Sequence, residues 1–206
     1  DYPVILSTTY SLTSSLSPDY LYDYVIIDEA SQVDISTGAL AFSCAKKAVV
    51  VGDLKQLPNV VDSKTKMKAN SIFSQYDLPE AYCYEKHSLL SSVSKVFPSA
   101  PRFLLREHYR CHPEIIGFCN KRFYNNELII MSKASGERPL AVYRTVTGNH
   151  ARGHVNERQI DVIEKEVLPS LRLSVEENIG IVTPYRKQAE RLQHRIDENN
   201  KNIKSD

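Results

Sequence analysis

The chain has 206 residues, of which 42% are hydrophobic and 25% charged, and its formal net charge is +1. That composition suits a globular protein of one large or two small domains with enough apolar material for a core. It excludes a chain that spans a membrane as a helix, because no apolar run exceeds strand length, and it gives no whole-chain excess of positive charge for a polyanion.

The N-terminus, Asp1-Tyr2-Pro3, has no basic region and no long apolar stretch behind it, so it does not read as a signal peptide. Tyr24-Val25-Ile26-Ile27 is an unbroken run rich in β-branched residues, which predicts a strand buried on both faces, as in a parallel sheet. It runs straight into Asp28 and Glu29. Two acids at the carboxyl end of such a strand fit a magnesium ion and an activated water, and they equally fit a solvated turn with Asp28 or Ser31 capping a helix. Asp34 to Phe42 predicts a capped helix with Ile35, Leu40 and Phe42 in its apolar stripe.

Ala48-Val49-Val50-Val51 is a second short strand, ending in Gly52-Asp53-Leu54-Lys55-Gln56-Leu57-Pro58. Strand, helix and strand at this length predict adjacent parallel strands whose polar ends share one edge of the sheet. Short helices are expected at Asn70–Phe73 and Ser88–Phe97. Pro98-Ser99-Ala100-Pro101 is the strongest linker, with two prolines in four residues.

Beyond it, Arg102–Leu105, Leu140–Tyr143 and Ile179–Val182 read as strands. A helix is expected from Pro113, with Ile115, Ile116, Cys119 and Phe123 as its apolar stripe, and another from an Asn156 cap through Leu168, with Ile160, Ile163 and Val167 inward. Thr183 and Pro184 are expected to open a last helix with Ala189, Leu192 and Ile196 inward. Strand and helix recur on both sides of the linker, so the expected fold class is α/β in two units, residues 1–100 and 101–206.

Charge is uneven along the chain. Residues 101–158 carry 10 Lys and Arg against 5 acids, while the flanking stretches are slightly acidic, so this middle stretch is either an anion-binding face or a solvated surface. The four cysteines form no CxxC pair, and free thiols in a reducing cytosol are expected. His108, Cys111, His112 and Cys119 cluster without a common zinc spacing; a cap at His112 and helix burial of Cys119 explain them better.

Five blocks in order resemble superfamily 1 helicases, in the group that includes the nonsense-mediated-decay RNA helicase. Val4-Ile5-Leu6-Ser7-Thr8-Thr9-Tyr10-Ser11-Leu12 resembles the nucleic-acid-contacting motif that precedes motif II; Asp28-Glu29-Ala30-Ser31-Gln32 resembles motif II and Gly52 to Pro58 motif III. His108-Tyr109-Arg110-Cys111-His112-Pro113 and Phe123 to Leu128 resemble the next block, with Cys111 in place of the usual Met. Ile179 to Gln188, containing Thr183-Pro184-Tyr185, resembles the block after it.

The resemblance implies two partial RecA-like units of the P-loop NTPase type, with mainly parallel sheets flanked by helices. It implies ATP and Mg²⁺ as cofactors, with Asp28 holding the metal mostly through water, Glu29 acting on the attacking water, Gln56 sensing the γ-phosphate, Arg110 serving as an arginine finger and Tyr109 stacking on adenine. It implies single-stranded nucleic acid, DNA or RNA, as partner, with Thr8, Thr9, Thr183 and Tyr185 as contacts, and an intracellular setting. Thr183 fits a simple helix cap equally well.

No Gly-x-x-x-x-Gly-Lys-Ser/Thr loop occurs, and none of the seven glycines precedes a lysine. The family's last two motifs are also missing. The chain therefore reads as an internal piece of an ATP-dependent helicase, inactive alone, with Ala48–Val51 expected to show an open edge or a substitute partner. Two rival readings are a non-catalytic nucleic-acid or protein-interaction module that retains the fold, and an unrelated NTPase sharing only the acidic strand. Gln56 and the Tyr109-to-Pro113 block speak against the last.

Overall fold

The computed structural model describes residues 4–17, 19–134, 136, 139–146, 151–171 and 178–203. They fall into two compact units, residues 1–137 and 138–206.

The first unit is built around two parallel strands, β1 (Tyr22–Ile27) and β2 (Ala45–Val50), in the register Tyr24 to Lys47 and Ile27 to Val50. A short helix α1 (Leu12–Ser15) precedes them, and α2 (Ile35–Phe42) joins them. Asp34 caps α2 as its position predicts: Oδ1 accepts from Thr37 N at 2.9 Å and Oδ2 from the Thr37 hydroxyl at 2.6 Å. The carboxylate is buried, so both bonds are shielded from water. Asp34→Ala is expected to lower the unfolding free energy by about 1–2 kcal/mol. Denaturant unfolding checks this, and an unchanged midpoint would mean that the cap does not hold the helix.

Helices α3 (Ser63–Phe73), α4 (Leu89–Val96) and α5 (Pro113–Phe123) follow. α3 starts earlier than expected because Asp62 caps it, accepting from Lys64 N and Thr65 N, each at 3.0 Å. Ser88 caps α4, and α5 begins at Pro113 with the His112 ring as cap. The core gathers Ile27, Ala30, Ala41 and Leu89, with Val25, Val50 and Val93 packed around them. Gly38 leaves room for that packing, since a Cβ there would collide with the buried Leu89 side chain.

Two expectations for this unit are corrected. β1 is covered on one face only: Val25 and Ile27 point inward, whereas Ile26 is 70% exposed and Tyr24 and Val49 share its open face. A continuous apolar run cannot report which face a neighbour covers. Arg102–Leu105 forms no strand among the described residues, and Phe103 is 88% exposed. Pairing starts later, between β3 (Glu107–His108) and β4 (Ile129–Ile130), which run parallel. Among the described residues β2 pairs with β1 alone, leaving its other edge open. The apolar stripe of α5 is also narrower than expected, since only Ile116 is buried and Ile115 and Phe123 are exposed.

The second unit opens with an antiparallel hairpin, β5 (Ala151–Arg152) and β6 (Val155–Asn156). Its turn residues Gly153 and His154 both have positive φ, 55° and 69°, the pattern of a tight two-residue hairpin turn. Asn156 caps α6 (Glu157–Val162), accepting from Gln159 N at 3.1 Å. The helix then widens into a π turn at Ile163–Val167 before α7 (Leu168–Ser170). Pro169 supplies the reason: it has no N–H to give the carbonyl four residues back, and its ring crowds that carbonyl.

Helix α8 (Arg186–Ile203) is joined to α6 by Arg191 to Glu157 at 2.7 Å and Arg195 to Asp161 at 2.8 Å, and Ile160 of α6 and Leu192 of α8 are both buried. The buried Gln188 side chain accepts from Asn156 N at 2.7 Å and donates to Asn156 O at 3.3 Å. Leu140–Tyr143 and Ile179–Val182 form no ladder among the described residues. Ile179 and Ile181 instead line a groove of about 360 Å³ of mixed polarity with Leu192, Ile196, Thr183 and Gln193. The α/β class holds, and among the described residues two of three small sheets are parallel.

Candidate functional site

Because β1 and β2 are parallel, their polar continuations emerge at the same edge. The ladder carries on past the strands, with Val51 N donating to Ile27 O at 2.8 Å and Ala30 N to Val51 O at 2.9 Å. Gly52 passes so close to the Ala30–Ser31 backbone that a Cβ would fall 3.0 Å from Ala30 N and 3.1 Å from Ser31 N. The two strand ends therefore interlock only with glycine at this position.

Asp28 Oδ1 accepts from Glu29 N at 2.8 Å, and Oδ2 has no protein partner among the described residues. Glu29 has φ 51°, left-handed backbone that a non-glycine residue adopts at a cost of about 1–3 kcal/mol. Its carboxylate is exposed and, among the described residues, meets only Gln32 Nε2, at 3.5 Å. The two acids thus leave the strand in a strained turn with free oxygens, whereas a helix cap would have spent those oxygens on backbone N–H groups. It is Asp34, six residues later, that caps the helix.

Asp53 orders the second loop. Oδ1 accepts from Lys55 N at 2.8 Å, and Oδ2 accepts from Gln56 Nε2 at 3.4 Å and from the Tyr124 hydroxyl. Burial, and next the bond to Asp53, push the Tyr124 phenol up to about 12. The folded value lies above the ordinary one, so the stability from this contact is complete below pH 10 and is lost as pH rises toward 12. Gln56 is exposed beside Glu29's edge of the sheet.

Tyr109 and Arg110 follow β3 directly. The Tyr109 hydroxyl donates to Glu107, which raises the phenol's pKa, and the ring is 64% exposed. Arg110 is exposed and makes no hydrogen bond or ion pair among the described residues; neither Glu107 nor Glu114 holds it. The loop beneath it is fixed by Cys111 N donating to His108 Nε2 at 2.9 Å and Glu114 N to His112 Nδ1 at 3.2 Å. These bonds use the imidazoles on backbone. No group of three metal-binding side chains occurs among the described residues.

Thr8 turns its hydroxyl inward on its own loop, donating to Ser11 Oγ at 3.1 Å and accepting from Ser11 N at 3.2 Å; Thr9 is half-buried. In the second unit the Thr183 hydroxyl donates to Tyr185 O at 2.9 Å, and α8 starts at Arg186, after the expected Thr183–Pro184 opening. The Tyr185 ring lies 4.6 Å from the imidazole of His154 on the hairpin turn.

Asp28, Glu29, Asp53 and Gln56 are thus brought to one sheet edge, while no hydrogen bond or ion pair joins Tyr109 or Arg110 to it among the described residues. Tyr124 and His154 were not singled out by sequence. Tyr124 lies inside a recognised block, but nothing local ties it to a carboxylate 71 positions away.

AAA-domain families match residues 85–205 and residues 1–64. The chain is 30% identical over 207 residues to a Mycoplasma genitalium protein named uncharacterized ATP-dependent helicase MG140, covering 97% of this chain and 18% of that one. It is 29% identical over 200 residues to the Mycoplasma pneumoniae homologue, covering 93% and 17%. Helicase sen1 of Schizosaccharomyces pombe is 30% identical over 190 residues, covering 83% and 10%. The chain spans less than a fifth of the length of each of these relatives. With an AAA-domain match over more than half its length, and helicases among the proteins it resembles, the chain belongs to the superfamily 1 helicase family.

Proposed function

We propose that the chain is part of an ATP-driven motor that moves along single-stranded nucleic acid, with residues 1–100 in its first RecA-like domain and residues 101–206 in its second. The observation that carries this reading is the interlocked edge at which Asp28, Glu29, Asp53 and Gln56 emerge together. The gap between the two family matches, between residues 64 and 85, supports a two-domain reading.

The donor set at this edge is hard oxygen, and one Asp28 oxygen is unspent. That fits Mg²⁺, an ion that keeps several waters and takes few protein ligands. Bound there, Mg²⁺ would neutralise charge on the substrate's phosphates. Asp28 would hold it, mostly through water. Glu29 would orient a water and take its proton. Gln56, exposed on the next loop, would donate to the γ-phosphate, and Arg110, free of partners among the described residues, would offer its planar fork of donors to the same oxygens. Tyr109 would stack on the base.

Nucleic acid would be held by Thr8, Thr9 and Thr183 at its phosphates and by Tyr185 as a stacking surface. The pairing of Tyr185 with His154 supports that role, since it fixes one ring face and leaves half of the ring exposed. Residues 1–206 by themselves turn over no ATP, because no phosphate-cradling loop is among them.

The test is ATP hydrolysis and strand separation by the full-length native protein, with single-stranded DNA and RNA supplied separately. Hydrolysis stimulated by one or both is expected. Unstimulated or absent hydrolysis would sink the reading and favour the non-catalytic module.

A further inference from the structure

Tyr124 is the C-terminal cap residue of α5, and Tyr109 and Arg110 lie four and three residues before its first residue, Pro113. α5 has 11 residues and is therefore about 16 Å long, at 1.5 Å per residue. At its far end the Tyr124 hydroxyl reaches Asp53, whose other oxygen closes the Lys55 turn and whose Oδ2 also receives Gln56. One rigid rod thus has the candidate finger just ahead of its start and the Gln56 loop tied to its end.

Tyr124 itself is held firmly. Its N–H donates to Asn120 O at 3.0 Å. The buried Asn120 side chain exchanges two bonds with Leu128, donating to Leu128 O at 3.1 Å and accepting from Leu128 N at 3.0 Å. The turn between them uses left-handed backbone at Asn125 and Asn126, φ 52° and 62°, where asparagine is among the best-tolerated residues. The phenol is therefore delivered by a fixed scaffold, and a bond from a neutral donor to a carboxylate is among the stronger kinds. Without it, Asp53 Oδ2 keeps only the 3.4 Å contact from Gln56, too long to orient an amide well.

We propose that Tyr124 is a positioning residue: through Asp53 it holds the Gln56 loop in register with the helix that follows Arg110, so that the two phosphate-facing groups move together. This rests on the roles proposed above for Gln56 and Arg110. The bond itself is independent of them.

Tyr124→Phe in the full-length native protein removes the hydroxyl alone. Hydrogen exchange at the Lys55 and Gln56 amides is expected to quicken by about tenfold or more, beyond any change at amides remote from the contact, with the protein still folded at the assay temperature. In ATP hydrolysis, kcat is expected to fall on the order of tenfold to a hundredfold, as for a small misplacement of a reacting group, while KM for ATP stays within about twofold. In a Gln56→Ala background the same substitution should add no further loss. Unchanged exchange at residues 55 and 56, or equal kcat losses in both backgrounds, would overturn the proposal. If the wild-type protein hydrolyses no ATP but exchange still responds, the ATPase reading falls and the Asp53–Tyr124 latch stands.

Discussion

Glu29→Gln is expected to lower ATP turnover by the full-length native protein about 10²- to 10⁴-fold, the range for loss of a general base, with nucleotide affinity nearly unchanged. The substitution is close to isosteric. It keeps the backbone, which already bears the left-handed φ of 51°, and it keeps a side-chain oxygen that can still meet Gln32. What it removes is the negative charge able to take a proton from water. Folding should therefore be spared, since the exposed carboxylate anchors nothing else among the described residues.

The check pairs a steady-state hydrolysis assay with a binding titration using a fluorescent ATP analogue. Turnover within tenfold of wild type would show that another group activates the water. Asp28→Asn gives the contrast: it should weaken magnesium dependence, raising the Mg²⁺ concentration needed for half-maximal rate, because it alters the ligand and leaves the base in place.

Local chemistry made part of this architecture legible. Asp34, Ser88 and Asn156 each cap the helix expected to follow them, because a cap needs only a side-chain oxygen and the next turn's N–H groups. The β1–α2–β2 unit was legible for a similar reason, being a short connection with clear turn and strand chemistry at each end. Strands without partners were not. Arg102–Leu105, Leu140–Tyr143 and Ile179–Val182 have the right residues, yet a strand exists only where another offers its ladder, and no residue in those runs encodes where that ladder lies.

The same limit applies to the site. Gly52, Asp53 and Gln56 stand out as a polar strand end, and their convergence with Asp28 and Glu29 follows from parallel pairing. The Tyr124 hydroxyl on Asp53 and the His154 ring on Tyr185 are tertiary contacts between segments that share no spacing rule. His154 carried one faint local signal: Gly153-His154 between two polar-flanked short segments is a turn, and a turn that folds back brings its tip to whatever packs beside the hairpin.

Arg110→Ala should cost more than any other single change, about 10³- to 10⁵-fold in kcat, the range for an arginine finger. The structure sharpens this expectation by removing the competing one. An arginine three residues from one glutamate and four from another is well placed for a structural ion pair, yet Glu107 is engaged by Tyr109 and Arg110 is unpaired among the described residues. Its loop is braced from beneath by the His108–Cys111 and His112–Glu114 bonds, neither of which involves the guanidinium. Truncation should therefore shift the unfolding free energy by no more than about 0.5 kcal/mol, as for an unpartnered surface residue.

Arg110→Lys should recover little of the rate, because a point charge cannot reproduce two parallel N–H donors in one plane. The measurement is kcat for the two variants beside thermal unfolding of each. A variant that keeps more than a tenth of wild-type kcat, or that loses rate only in proportion to lost stability, would remove Arg110 from the reaction. An unpaired guanidinium held on a braced loop would then need another anion to explain it, and the phosphates of a bound strand would be the next to test, through the slope of binding affinity against salt.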